Sequence, residues 1–107
     1  MKAEFDKLQV FDNGIVAIMK LEMRAPDGRL LNRRQVDAVL ALHSLNHNLN
    51  KPDIFLEGDE NVYAKIHADD LDDLVGKADR VKGYMKDLIR KVYEIDIVLQ
   101  RLMPNLV

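Results

Sequence analysis

The chain has 107 residues, 16 of them basic and 18 acidic, and a formal net charge of −2; that is the length of one domain, with no charge excess to demand nucleic acid or an anionic membrane as partner. Cysteine is absent, which excludes disulfides, thiolate metal ligands and thiol nucleophiles. No apolar run is longer than that from Ile15 to Met19, far too short to span a bilayer, the N-terminus has no signal-peptide core, and the expected location is cytoplasmic.

Threonine and tryptophan are also missing, and Ser44 is the single serine. A hydroxyl nucleophile of the serine type therefore has one candidate atom, and it lies in a leucine-rich stretch. Gly76-Lys77 lacks the upstream glycine of a phosphate-binding loop. These absences argue for a non-enzymatic protein that uses no cofactor.

In chain order, residues 5 to 12 read as a strand with Leu8 and Val10 on one face. Asp12-Asn13-Gly14 follows, and Asn-Gly favours a tight hairpin turn whose two central residues take positive φ. The return strand runs from Ile15 to Arg24, with Ala17, Met19, Leu21 and Met23 alternating. The same stretch is rich in helix formers, and a helix from Ile15 to Ala25 stopped by Pro26 is the alternative. The turn chemistry and Ile15-Val16 favour the strand.

Pro26-Asp27-Gly28 is a turn by composition, and Arg29 to Leu31 can add a short third strand. Asn32 followed three residues later by Gln35 has capping-box spacing, which predicts a helix from Arg33 to about Asn48. Val36, Val39, Leu40, Leu42, Leu45 and Leu49 cover more than half of its circumference, the mark of a central helix with neighbours on several sides. Asn48 to Pro52 ends it. Ile54–Leu56 and Val62–His67 form a second hairpin around a turn at Gly58 to Asn61. Val62, Ala64 and Ile66 face one way; Tyr63, Lys65 and His67 face the other. From Asp53 to Asp73 the chain is strongly acidic, with Lys65 as its lone base.

From Leu71 onward, apolar residues recur at Leu71, Leu74, Ala78, Val81, Met85, Leu88, Val92, Ile95, Leu99 and Leu102. The steps alternate between three and four, a heptad pattern that predicts one long amphipathic helix over 70–103. Asp69 or Asp70 caps it, Asp72 and Asp73 favour its positive end, and Pro104 stops it. Asp73 with Lys77 and Asp87 with Lys91 are spaced as supporting ion pairs. Gly76 and Gly83 mark where the helix could break, or where another backbone comes close. Some 33 residues make a rod of about 50 Å, while a compact domain of this length is about 34 Å across. The far end of the rod is its most apolar part, so the C-terminal half is expected to project as an oligomerisation element. Lys77 and Lys82 would repel each other in a parallel zipper. The first half is therefore assigned to the sheet and the second, from Leu88, to a second copy. The candidate interface is Leu88, Val92, Ile95, Val98, Leu99 and Leu102, and the expected state is a homodimer.

Three further groups carry candidate chemistry. His43 and His47, four apart on one helical face, have the spacing that lets two imidazoles share a metal, with His67, Asp69 or Asp70 to complete the shell. The structural alternative is a pair of half-buried, hydrogen-bonded histidines. Arg29, Arg33 and Arg34 gather at the start of the central helix, where arginine forks suit an anion or an acidic partner; the plainer reading is compensation by the acidic 53–73 segment. The face from Lys77 to Lys91 interleaves bases with Tyr84 and Tyr93, as a nucleic-acid backbone would require, or it is an ordinary solvated face.

The sequence thus predicts a single α+β domain over 1–107: antiparallel β-hairpins packed with one central helix and one long C-terminal amphipathic helix. Its expected function is a small protein–protein interaction module, an adaptor, regulator or inhibitor that binds itself and an unidentified protein partner. A nucleic-acid-binding protein using the 77–91 face is the first alternative, and a metal-dependent protein using His43 and His47 the second.

Overall fold

A computed structural model describes residues 1–58 and 61–102. Six elements follow one another: β1 (Ala3–Phe11), β2 (Gly14–Leu21), α1 (Arg33–Leu45), β3 (Asp53–Glu57), β4 (Asn61–Ala68) and α2 (Leu71–Leu102). The strands form one antiparallel sheet in the order β1-β2-β4-β3. This is the α+β class, with the stretch after Gly14 a strand and not a helix. No helix among the described residues is long and apolar enough to cross a membrane.

The first hairpin closes one residue earlier than Asn-Gly predicts. Phe11 pairs with Gly14, so Asp12 and Asn13 are the turn residues, and among the described residues no non-glycine residue has positive φ. Gly14 itself sits at φ +154°, where a Cβ would stand 2.7 Å from the Ala68 carbonyl oxygen of β4. Its role is to let two backbones close up. The β1 register shifts between Phe5 and Lys7, a bulge at Asp6. Phe5 is consequently opposite Met19, Leu8 opposite Ala17 and Val10 opposite Ile15, so all three lie on the same face of the sheet.

The core lies between that face of β2 and β4 and the helix above it. Cross-strand partners there are Ile15 with Ala68, Ala17 with Ile66, Met19 with Ala64 and Leu21 with Val62, all buried. Three of the four pairs set a large side chain against alanine, which fills the layer without overpacking it. Leu74, Ala78, Val81, Met85, Leu88, Ile89 and Val92 of α2 close the layer from above. On the opposite face Phe55 stacks on Tyr63, ring centroids 5.6 Å apart, and this pairing buries Tyr63 on a side expected to be polar.

Helix α1 is less enclosed than its wide apolar arc suggests. Of α1 only Val39 and His43 are buried, and Leu45 is exposed. The capping box is present as predicted: Gln35 N donates to Asn32 Oδ1 at 2.9 Å and Asn32 N donates to Gln35 Oε1 at 3.0 Å. The helix stops at Leu45, three residues early. Asn48 N donates to Asn46 Oδ1, and Asn50 N to Asn48 Oδ1, each at 3.0 Å. Successive asparagine turns thus replace helical hydrogen bonds. Leu49 falls outside the helix and is exposed. The Pro26-Asp27-Gly28 turn forms, but the third strand reduces to a single bridge between Arg24 and Leu30.

Helix α2 is unbroken for 32 residues. Asp70 caps it, accepting from Asp73 N at 2.8 Å. Asp73 in turn accepts from Asp69 N and pairs with Lys77 at 3.1 Å, and these two donors hold its carboxyl below the usual carboxylate range. Asp87 pairs with Arg90 and not, as the spacing suggested, with Lys91. The stop at Pro104 lies outside the described residues. Gly76 and Gly83 neither break the helix nor admit a second backbone: a Cβ at either would meet nothing within 4 Å. Gly76→Ala and Gly83→Ala are each expected to raise stability by about 1 kcal/mol, the helix-interior cost of glycine, read as a higher urea midpoint at unchanged slope.

Candidate interaction surface

The eight residues of β4 span about 27 Å and the 32 of α2 about 48 Å, so the helix outruns the strand it packs on. The whole molecule extends 58 × 25 × 22 Å, with a radius of gyration of 15.5 Å, against about 13 Å for a compact chain of this length. The chain shields part of the overrun. Helix α1 lies antiparallel to α2, with Gln35 donating to Asp96 at 3.3 Å near one end and His43 meeting Tyr84 at 2.7 Å near the other. Met23 and Leu31 of the connection and Val36 of α1 pack against the same core.

Along the heptad stripe burial ends between Val92 and Ile95, while Asp96 and Ile97 stay half-buried. Leu88 and Val92, expected in the interface, are buried in the chain's own core, because α1 and the β2–α1 connection extend the body past the end of the sheet. The remaining four candidates are open to solvent: Ile95 is 52%, Val98 50%, Leu99 42% and Leu102 73% exposed. Ile95, Leu99 and Leu102 continue the heptad stripe that is buried from Leu74 to Val92, and Val98 lies beside it. Glu94, Gln100 and Arg101 surround them, all exposed. Other large apolar side chains are exposed along the edge strand, Phe5, Leu8 and Val10 of β1, and in the first turns of α2, Leu71 and Val75. The sequence pattern had no signal for Phe5, because the bulge that brings it onto the face of Leu8 and Val10 is invisible in strict alternation.

The other candidate groups come apart. Arg29 pairs with Asp27 at 3.8 Å, Arg33 with Asp37 at 3.1 Å and Arg34 with Asp96 at 3.7 Å. These three acids come from the turn and the two helices. Along the 77–91 face, Lys77 binds Asp73 and the His67 carbonyl oxygen, Lys82 binds Asp79, and Arg90 binds Asp87. Arg80, Lys86 and Lys91 remain exposed on it. His43 and His47 do not share a helical face, since α1 ends before His47. Among the described residues no group of three or more His, Asp or Glu side chains could hold a metal.

His43 instead forms the joint between the helices. Its ring meets Tyr84 edge to face, at a centroid distance of 5.6 Å. Asn46 donates to the Tyr84 oxygen at 3.3 Å, which leaves the phenol hydrogen for His43 Nδ1, 2.7 Å away. That pattern suits a neutral imidazole. Burial holds the ring below the ordinary histidine value of 6.5, Lys51 lowers it further and Asp53 partly opposes both. Below that value the unfolded chain takes up a proton at His43 that the folded chain resists, so stability falls as pH drops. The loss in urea stability between about pH 7.5 and about pH 5 is expected to be smaller in His43→Gln than in the parent chain.

Compared with the patterns of known protein families, with curated proteins and with solved structures, the chain matches none.

Proposed function

We propose that this chain is a protein–protein interaction module that self-associates through the distal end of α2, and that it acts as an adaptor, regulator or inhibitor by occupying a partner's surface. The supporting observation is the exposure of Ile95, Val98, Leu99 and Leu102 on a helix that has outrun its own body. Contiguous apolar surface of this kind is costly in water and marks contact sites. The net charge of −2 and the ion-paired bases of α2 fit a protein partner better than a phosphate backbone. Sedimentation equilibrium over a range of concentrations tests the reading. The expected result is a reversible species heavier than the 12.3 kDa chain; a single 12.3 kDa species at the highest concentrations overturns it.

A further inference from the structure

Apart from the distal stripe, we propose that the free edge of β1, beyond its bulge, accepts an extended segment of another protein. The segment adds antiparallel to β1 and places a basic residue beside the β1–β2 turn. β1 is the outer strand of the sheet, and almost its whole length is exposed. Glu22 N donates to Lys2 O at 3.0 Å, and Phe11 closes the hairpin against Gly14. Given the register shift between Phe5 and Lys7, alternation turns the N–H and C=O groups of Phe5, Leu8 and Val10 away from β2. Among the described residues none bonds to these groups. An unpaired row of donors and acceptors is a template for one more strand. The side chains of Leu8 and Val10 lie on the helix side of the sheet, opposite Ala17 and Ile15, and are exposed. They offer an added strand an apolar surface for its alternate side chains.

The bulge sets where the segment lies. Leu8 and Val10 are spaced as an ordinary strand spaces its outward residues, whereas the bulge puts one residue too many between Phe5 and Leu8. Regular pairing is therefore confined to the half of β1 after the bulge. That half ends at a cleft of about 580 Å³, where Val10, Phe11 and Leu71 meet Asp12, Asp69 and Asp72, and among the described residues no base lines it. Asp70 lies there too and is used as the cap of α2. An antiparallel segment brings its N-terminal end to this cleft, and an arginine or lysine at that end supplies the missing cation. The same cleft argues against a second copy as occupant. With Leu8 opposite Val10 of the second copy, Asp6 of each falls opposite Asp12 of the other, which sets like charges face to face. Leu8 and Val10 each furnish one N–H and one C=O, so the binding is weak and reversible, and salt weakens it further.

The probe is a synthetic peptide with paired arginines at its N-terminus followed by alternating valine and serine, labelled for fluorescence anisotropy. It is expected to bind the full chain, and a version with glutamates in place of the arginines to bind at least about tenfold more weakly. Leu8→Pro removes an N–H that points away from the sheet and leaves the β1–β2 ladder its donors; binding to that chain is expected to fall by a similar factor. A second readout needs no variant: on addition of the peptide, amide exchange in the parent chain slows at Leu8 and Val10. No binding at peptide concentrations of about 1 mM overturns the proposal. Equal binding of the arginine and glutamate peptides overturns it, as does bound peptide that leaves exchange at Leu8 and Val10 unchanged. A heavier species that persists in the chain carrying Ile95→Glu and Leu99→Glu, and vanishes when Leu8→Pro is added, puts a second copy on the edge and overturns it too. Peptide binding by a chain that sediments as a single 12.3 kDa species upholds this proposal and overturns only the distal pairing.

Discussion

Ile95→Glu combined with Leu99→Glu yields a soluble, folded monomer. Both side chains are about half exposed in the isolated chain, so the fold itself loses little, within the small range typical of surface substitutions. The assembly loses much more. Two-fold symmetry removes each residue twice, deleting four apolar contacts per dimer. Complete burial of one such side chain contributes about 1.5–3 kcal/mol. Even with a generous discount for partial burial, association weakens by at least about a thousandfold. The introduced carboxylates would also be buried in an apolar contact, which adds desolvation cost. Sedimentation equilibrium reads the association, and far-UV circular dichroism with a thermal melt reads the fold. An unchanged dissociation constant in the double variant would rule out the distal stripe. Leu88→Glu gives the contrasting result, since Leu88 is buried and a carboxylate there is expected to unfold the chain.

Residue periodicity alone made the elements of this fold legible, and for physical reasons. A strand or helix with one buried face must repeat its apolar residues at two or at 3.6, and β2, β4 and α2 do so. The Asn32–Gln35 box was legible because its hydrogen bonds are local. Features that depend on a few specific hydrogen bonds were not. The asparagine ladder after Leu45 ends α1 early, although Leu42, Leu45 and Leu49 look like one continuous apolar arc. The bulge at Asp6 reverses the alternation of β1, so Phe5 joins Leu8 and Val10 at a spacing that belongs to no regular strand. The width of an apolar arc also misled: α1 carries apolar residues on much of its surface, yet it packs at the side of α2, and several of them stay half-buried.

The candidate surface was legible in outline but not in extent. The heptad stripe runs without interruption from Leu71 to Leu102, and nothing in it distinguishes Val92 from Ile95. What separates them is the β2–α1 connection: Met23, which continues the alternation of β2, and Leu31, which belongs to no periodic pattern, both join the core. Long-range ion pairs were equally hidden. Asp96 is bound by Arg34 and Gln35 across more than sixty positions of sequence, whereas Asp73–Lys77, four apart, could be read directly from spacing.

Met85→Ala is expected to destabilise the fold by about 2–5 kcal/mol, the range for removing a fully buried large side chain. Met85 is 0% exposed and ranks with Met19, Val39 and Val62 among the largest fully buried side chains. It lies near the middle of α2, where the helix crosses the two central strands, and the layer beneath it already contains alanines at positions 17, 64 and 68. Alanine is a slightly better helix former than methionine, so the loss reports packing and not helix propensity. Met85→Leu, which nearly conserves volume, should cost less than about 1.5 kcal/mol. Urea midpoints at constant slope measure all three chains. For a domain with a total stability of about 5–15 kcal/mol, Met85→Ala leaves a protein that is still folded in the cold but melts early. Its distal stripe is untouched, so at temperatures where it is folded it should dimerise as the parent chain does, and its melting temperature should rise with concentration. The Ile95→Glu, Leu99→Glu chain should show the opposite pair of properties: near-parental unfolding of the isolated monomer and a melting temperature independent of concentration. The two sets of substitutions thus separate the part of α2 that holds the domain together from the distal segment proposed to join one copy to the next.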